Sequence, residues 1–587
     1  MGARHRRRFL AMPRPPLSRR RFLKQLAALG AVSAAAPLSG CGNSDPLAQR
    51  VGNPGVPAPP PVGLSFLHGV ASGDPREDRV ILWTRVTPAE PVAAIAVDWV
   101  LSLTPDLANP VRSGRFVTGP ERDYTVKVDP TGLRSYTTYY YQFSVTRADG
   151  SVVRSPIGRT KTAPAITDAV DRIRVAVASC SNYGFGFFSA YRHIGVRADL
   201  DLVIHLGDYL YETGGGEIRQ HQPDREILTL ADYRERHAQY KSDPDLQEAH
   251  RQHPWITTWD DHETTDNSYR TGANNHTEGA EGCWEERMGW ALRAYFEWMP
   301  IRDNGLGFDA PKEGPGATCP STGERGLLPE GLGRIYRTIP YGSLIDFILL
   351  DTRLAGRAPQ NGVDIVSEEQ TILGAEQREW FLQELPRRTA LWKVVANGVG
   401  FAPLRLPANP VEGCTSPLSP VGMNESCFLN EDSWDGYRFD RNAVFDCIEQ
   451  NNIQNVVMIF GDIHAVIACD LPRNGNDPQH YNPATGEGSL GVELCCGAIA
   501  NVPLPIWNAI RPFNPHMKHA NEGPNGYLLM DISAERVQAE WYYANPQIQN
   551  APETPDPVML QTLVNSQRLT PAAVRTTAKP NPPPLVP

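Results

Sequence analysis

Leu200-Asp201-Leu202-Val203-Ile204-His205-Leu206-Gly207-Asp208-Tyr209-Leu210-Tyr211-Glu212 joins an apolar run to an acidic, aromatic turn. The run, Leu200 to Leu206, has the length and content of a buried strand, and Gly207-Asp208 ends it. Upstream, Arg174-Val175-Ala176-Val177-Ala178-Ser179 is another short strand, and Phe187 to Arg197 is a helix between the two. Further strands are predicted at Leu344–Leu350, Trp392–Ala396, Val456–Phe460 and Gly491–Cys496. Helices are predicted at Leu230–Ser242, Glu285–Trp298 and Ala375–Glu384. Alternation of this kind specifies a layered α/β domain, placed at residues 170–545.

Polar residues close five of these segments. They are Cys180, the turn Gly207 to Glu212, the run Trp259-Asp260-Asp261-His262-Glu263, Asn397, and Gly461-Asp462-Ile463-His464. Open α/β sheets bind ligands beyond their strand ends. Each motif alone has a structural explanation: a buried thiol, a turn, a helix cap or a solvated loop. Five on separate strands point to one crevice, where like charges need cations between them. Carboxylate and amide oxygens suit hard cations such as calcium or manganese, while a thiolate with a tyrosinate suits iron(III). No His-Glu-x-x-His, Cys-x-x-Cys or Gly-x-Ser-x-Gly occurs, which disfavours zinc proteases, zinc ribbons and serine hydrolases. His516-Met517-Lys518 is a lone partial match to a histidine-lysine phospholipase motif, with Gly523 where its aspartate belongs.

Residues 62–166 have short runs rich in β-branched and aromatic residues, including Val80 to Val86 and Tyr136 to Val145. They predict a β-sandwich of fibronectin or immunoglobulin type. Residues 546–587 are Pro-rich with little apolar periodicity and predict a loosely docked or disordered tail. The stretch Thr271–Arg334 reads as a long insertion and is expected to shape the pocket mouth.

The N-terminus carries a different signal. Ser18-Arg19-Arg20-Arg21-Phe22-Leu23-Lys24 precedes an apolar run, Leu26 to Leu38, too short to span a bilayer. Residues 1–40 therefore predict a twin-arginine signal peptide, with Met12 as an alternative start. Leu38-Ser39-Gly40-Cys41 resembles a lipobox, making Cys41 the lipidation site and residues 41–61 a Pro/Gly-rich tether. The protein is expected to leave the cytoplasm through the Tat translocase, for the periplasm or the exterior, with a membrane anchor if Cys41 is lipidated.

Residues 1–40 hold nine Lys or Arg and no acidic residue, so the rest carries 47 basic against 66 acidic residues. That excess excludes long nucleic acids as partners, because no basic stripe remains to displace counterions. Of ten cysteines, eight remain after Cys41 and Cys180 are set aside. An even remainder in an exported chain suggests disulfides, such as Cys414 with Cys427 and Cys283 with Cys319, or free buried thiols, notably Cys447 and Cys469.

Several motifs carry a family resemblance. Phe66-Leu67-His68-Gly69-Val70-Ala71-Ser72-Gly73-Asp74-Pro75 resembles the start of the N-terminal domain of PhoD-type alkaline phosphatases and phosphodiesterases. The five strand-end motifs, with Leu373-Gly374-Ala375-Glu376-Gln377 and Asp432-Ser433-Trp434-Asp435-Gly436-Tyr437, resemble that family's catalytic region over about residues 62–545. The resemblance implies an N-terminal sandwich followed by a four-layer metallophosphoesterase domain. It implies iron(III) (Fe3+) at Cys180, Asp208, Tyr211 and Asp462. It implies calcium (Ca2+), or manganese (Mn2+) or another divalent cation in its place, at Asp208, Asp261, His464 and Asn397, with Asn267 a further candidate. The expected chemistry is attack of metal-activated water on a phosphate ester, with His262 protonating the leaving oxygen or binding the phosphoryl group. Two alternatives are a phospholipase D-like phosphodiesterase acting on phospholipids and a lipoprotein that binds calcium or phosphate esters without turnover.

Overall fold

The computed structural model describes residues 63–147, 149–303, 334–360, 365–405 and 431–587. The signal segment, Cys41, the tether, Cys319, Cys414 and Cys427 lie outside the described residues.

Two sheets form the body. The strands Arg172–Ala178, Leu202–His205 and Pro254–Thr257 pair in parallel at the heart of an eleven-stranded sheet. Ile345–Leu349, Trp392–Ala396, Val456–Phe460 and Ser489–Cys495 pair in parallel within a seven-stranded sheet. These strands are buried on both faces, which is why their sequences run apolar without alternation. The inner faces of the sheets meet in one core that includes Val175, Ile204, Phe347, Val394, Ile459 and Leu494. A second core lies between the larger sheet and the helices Ser189–Gly195, Leu230–Lys241 and Trp284–Trp298. A third lies between the smaller sheet and the helices Gly374–Glu384 and Arg438–Gln450. Helix, sheet, sheet and helix make four layers, as the resemblance implies.

The N-terminal region differs from a self-contained sandwich. Ile95–Ser102, Pro110–Thr118, Thr138–Thr146, Val152–Arg154 and Gly158–Lys161 form their own antiparallel sheet. Its apolar face packs on Val70, Val80, Leu82 and Val126, which belong to the larger sheet. Val70–Arg76 pairs in parallel with Pro254–Thr257, Ser72 opposite Pro254 and Gly73 opposite Trp255, so one layer of the sandwich is continuous with the catalytic sheet.

Residues 546–587 are not the loose tail that their composition predicts. Leu560–Leu563 pairs with Arg536–Tyr543, and Thr570–Pro571 follows it at the sheet edge. Beyond that, side chains hold the extended backbone: Tyr140 Oη donates to the Pro584 carbonyl at 2.8 Å, and Gln252 Nε2 to that of Val586 at 2.9 Å. The cysteines divide between the two expected states. Cys447, Cys469, Cys495 and Cys496 are free and buried, while Cys283 is disulfide-bonded. Three of the free thiols sit in or beside strands of the smaller sheet and serve as small apolar residues.

The helix Leu230–Lys241 starts at a capping box, Asp232 N donating to Thr229 Oγ1 at 3.3 Å and Thr229 N to Asp232 Oδ2 at 3.1 Å. It ends on a buried amine. Lys241 Nζ and Tyr209 Oη each lie 3.0 Å from His250 Nε2, and Lys241 also stands over the Trp83 ring. Among the described residues no carboxylate pairs with it, and burial lowers its pKa well below the ordinary lysine value. His205 and His237 nearby are brought down to about 3 by burial first and then by Lys241. A lysine whose pKa is lowered by folding costs stability at every pH below its unfolded pKa of about 10.4, and the cost grows as pH falls until the folded pKa is reached. Replacing Lys241 by Met is therefore expected to raise the melting midpoint by at least about 3 °C at pH 7, with a smaller gain at pH 10. Denaturation of parent and variant across that range checks it, and equal gains at both pH values would refute a lowered lysine pKa.

Candidate metal centre

The parallel strands of the two sheets deliver their C-terminal ends to one crevice. Cys180 follows Arg172–Ala178, Asp208 follows Leu202–His205, and Asp260 to Glu263 follow Pro254–Thr257. Asn397 and Asp462 come from the smaller sheet. The backbone is bent hard there. Cys180, Asp208, Asp462 and His464 have φ of 56°, 55°, 63° and 52°, in the left-handed region that non-glycine residues seldom occupy. Gly207, at φ 106°, has no room for a side chain: a Cβ would stand 2.3 Å from the Asp260 nitrogen. Glu263 ties the turns together, accepting from the backbone nitrogens of Asp208, Tyr209 and Asp260 at 3.0, 2.7 and 2.9 Å.

Two sets of donors converge, and Asp208 belongs to both. Cys180, Asp208 and His464 offer ligand atoms within 4.8 Å of one another, as do Asp208, Asp261 and His262. Asp208 Oδ2 accepts from Tyr211 Oη at 2.9 Å, whereas its Oδ1 is buried without a hydrogen-bond partner. Burial, then neighbouring carboxylates, raise Asp208 well above the usual carboxylate range. Burial with Asp260 and Asp432 pushes Asp462 up to about 8, and burial raises Glu263 to about 7. Burial, then Asp208, also raises the Cys180 thiol. A crevice that penalises its own anions in this way gains from bound cations. The unpartnered oxygen, the thiol, the phenol and the imidazole supply donors for them, so the residues present fit a metal centre.

The structure brings together Cys180, Asp208, Tyr211, Asp261, His262 and His464. It sets His464 beside Cys180 and Asp208. Tyr211 Oη is 3.3 Å from His464 Nε2, and the ring is pinned by Nδ1 donating to the Val502 carbonyl at 3.1 Å. Asp462 stands at the same sheet end but in neither donor set. Asn397 is held there by Trp434 Nε1, which donates to its Oδ1 at 3.1 Å, and by its own Nδ2 donating to the Ile459 carbonyl at 3.2 Å. Asn267 acts through its backbone, which donates to Asp261 Oδ2 at 2.6 Å.

His262 Nδ1 donates to Glu212 Oε2 at 2.6 Å. Burial opposes both charges, yet the pair overcomes it: His262 is raised well above its ordinary value and Glu212 brought down to about 2. The sequence reading gave no role to Glu212, Glu263, Asn501 or Arg353. Asn501 Nδ2 donates to Tyr211 Oη at 2.6 Å and lies 2.8 Å from His464 Nε2. Arg353 had a signal to follow, since it comes just after the strand Ile345–Leu349, as the other site residues follow theirs.

Comparison with known proteins agrees with this architecture. Residues 175–541 match the model of the PhoD-like phosphatase family, and residues 55–164 match its N-terminal domain. Alkaline phosphatase D of Bacillus subtilis (strain 168) is 33% identical over 516 residues, covering 84% of this chain and 80% of its own. The solved structure of PhoD superposes with a TM-score of 0.73 at 30% identity, covering 89% of this chain and 95% of that one.

Proposed function

Because the chain belongs to the PhoD-like phosphatase family and is a phosphoric ester hydrolase, we propose that it is an exported enzyme dependent on iron(III) and calcium, cleaving phosphate diesters and monoesters with water. The observation that carries the metal reading is Asp208, shared by two donor sets with one oxygen buried and unpartnered. Cys180, Asp208, Tyr211 and His464 would hold iron with help from Asp462. Asp208 and Asp261, with Asn397, would hold calcium. Bound there, the cations would supply Lewis acidity, neutralising phosphoryl charge and lowering the pKa of the attacking water.

The side chains do the rest. Glu212 fixes the His262 ring through Nδ1, which leaves Nε2 to protonate the leaving oxygen. Asn501 steadies Tyr211 and His464 together. Glu263 holds the turns bearing Asp208 and Asp261 in fixed relation. Preorganisation of this kind lets the site meet the transition state without rearranging. Export rests on the twin-arginine motif at residues 18–24, and anchoring rests on Cys41.

The test is hydrolysis of a chromogenic phosphodiester beside the matching monoester at alkaline pH, before and after calcium chelation. Turnover is expected to fall by at least about a hundredfold on chelation and to return when calcium is added. Unchanged turnover in chelator would refute the calcium role.

A further inference from the structure

Arg353 is fully buried in the crevice, yet it touches neither donor set within hydrogen-bond range. Its Nε and Nη2 donate to Asp260 Oδ1 and Oδ2 at 2.6 and 3.0 Å. Its Nη1 and Nη2 donate to Asp432 Oδ1 and Oδ2 at 2.7 and 2.9 Å. These are two forked guanidinium–carboxylate pairs on one side chain, the strongest geometry such groups have. Arg357 Nη2 adds a bond to Asp432 Oδ1 at 2.5 Å, so two arginines balance two aspartates. The next carboxylates are more distant: Asp261 Oδ2 lies 3.8 Å and Asp462 Oδ1 3.9 Å from Arg353 Nη2. The adjacent residues Asp260 and Asp261 therefore face different partners. Asp260 is gripped by the guanidinium, while Asp261 joins Asp208 and His262. Gly398 closes the same pocket, since a Cβ there would stand 2.2 Å from Asp260 Oδ1.

We propose that Arg353 is a positioning residue that withholds Asp260 and Asp432 from the metal centre and leaves the ligand role to Asp208, Asp261 and Asp462. A crevice with this many acids would otherwise take up extra cations or bind them in the wrong places. The guanidinium sets how many carboxylates face the metals, and so the net charge of the occupied site. This role rests on the calcium site proposed above.

The experiment titrates calcium chloride into chelator-treated full-length protein by calorimetry and counts bound metal by elemental analysis. Asp260→Asn, which keeps its shape and loses its charge, is expected to hold the parental count and an affinity within about twofold of the parent. Asp261→Asn is expected to weaken binding by at least about tenfold. Arg353→Lys keeps a charge but cannot fork to two carboxylates, and the one it releases is expected to take up about one more calcium per chain. Loss of calcium in Asp260→Asn to the extent seen in Asp261→Asn would overturn the proposal, as would a parental count in Arg353→Lys. If the lysine variant does not fold, the contrast between the two asparagine variants decides alone. Full binding in both asparagine variants would instead strike at the calcium site itself, separating failure of that reading from failure of this one.

Discussion

Replacing Asp208 by Asn is expected to reduce turnover of a phosphodiester by at least about a thousandfold, or about 4 kcal/mol of barrier, while making the metal-free protein more stable. The two effects share one cause. Asp208 is common to both donor sets, so an amide there weakens both cation positions at once. Loss of one anionic ligand removes charge stabilisation that no neighbour can replace, since Asp260 and Asp432 are committed to Arg353. In the cation-free protein the same carboxylate is a burden. Burial, with Asp261, Asp260 and Glu263 close by, raises its pKa well above the ordinary value. The cost of an acid raised in this way grows from about pH 4, where the unfolded chain ionises, until pH reaches its folded pKa, and stays constant above it. The advantage of Asn over Asp should therefore grow as pH rises from about 4. Steady-state kinetics and thermal unfolding in chelator check the two halves. A variant that is both slower and less stable would indicate a damaged fold, and a loss of less than about tenfold would exclude Asp208 as a shared ligand.

Replacing Glu212 by Gln is expected to divide substrates by leaving group. Glu212 is completely buried, and besides His262 it accepts from the Asp266 nitrogen at 2.9 Å and Thr265 Oγ1 at 3.2 Å. Gln keeps the shape and removes the charge, so the imidazolium loses the first of the neighbours that offset its burial. Alkyl esters, whose alkoxide needs a proton as it departs, should lose about a hundredfold in kcat. Nitrophenyl esters leave without that help and should lose less than about fivefold. KM should stay within about twofold for both, because the pair acts on the departing oxygen. The high-pH limb of the alkyl-ester profile should also move to lower pH. Equal losses on the two ester classes would remove His262 from the role of general acid.

The sequence made the strand ends legible because a buried parallel strand must be apolar throughout, which leaves a polar residue at its tip conspicuous. Cys180, Asp208, Asp261 and Asp462 were visible on that ground alone. Arg353 follows a strand in the same way, but its role was hidden, because its partners Asp260 and Asp432 lie 93 and 79 residues away. A lone arginine after a strand gives no sign of which acids it will meet. The division of labour between Asp260 and Asp261 was equally hidden, since it depends on which neighbour each side chain turns towards. The C-terminal segment misled for another reason. Hydropathy periodicity detects helices and longer strands, whereas this segment has only short strands and, beyond Pro571, is held by single bonds such as Val586 N to Gln252 Oε1, across 334 residues of sequence.

The eleven-stranded sheet also dictates an order of events during synthesis. Its middle strands come from residues 172–257, but one flank is built from residues 70–128 and the other from residues 526–571. The first catalytic strand, Arg172–Ala178, takes Gly526–Ser533 as a neighbour, with Leu528 opposite Val177. Until residues 526–533 have left the ribosome, that strand has one bare side and the metal-binding turns beside it lack their support. Such non-local pairing is slow, and bare edges invite aggregation while it is pending. Any route that moves this protein across a membrane after metal insertion must therefore wait for residues 526–571.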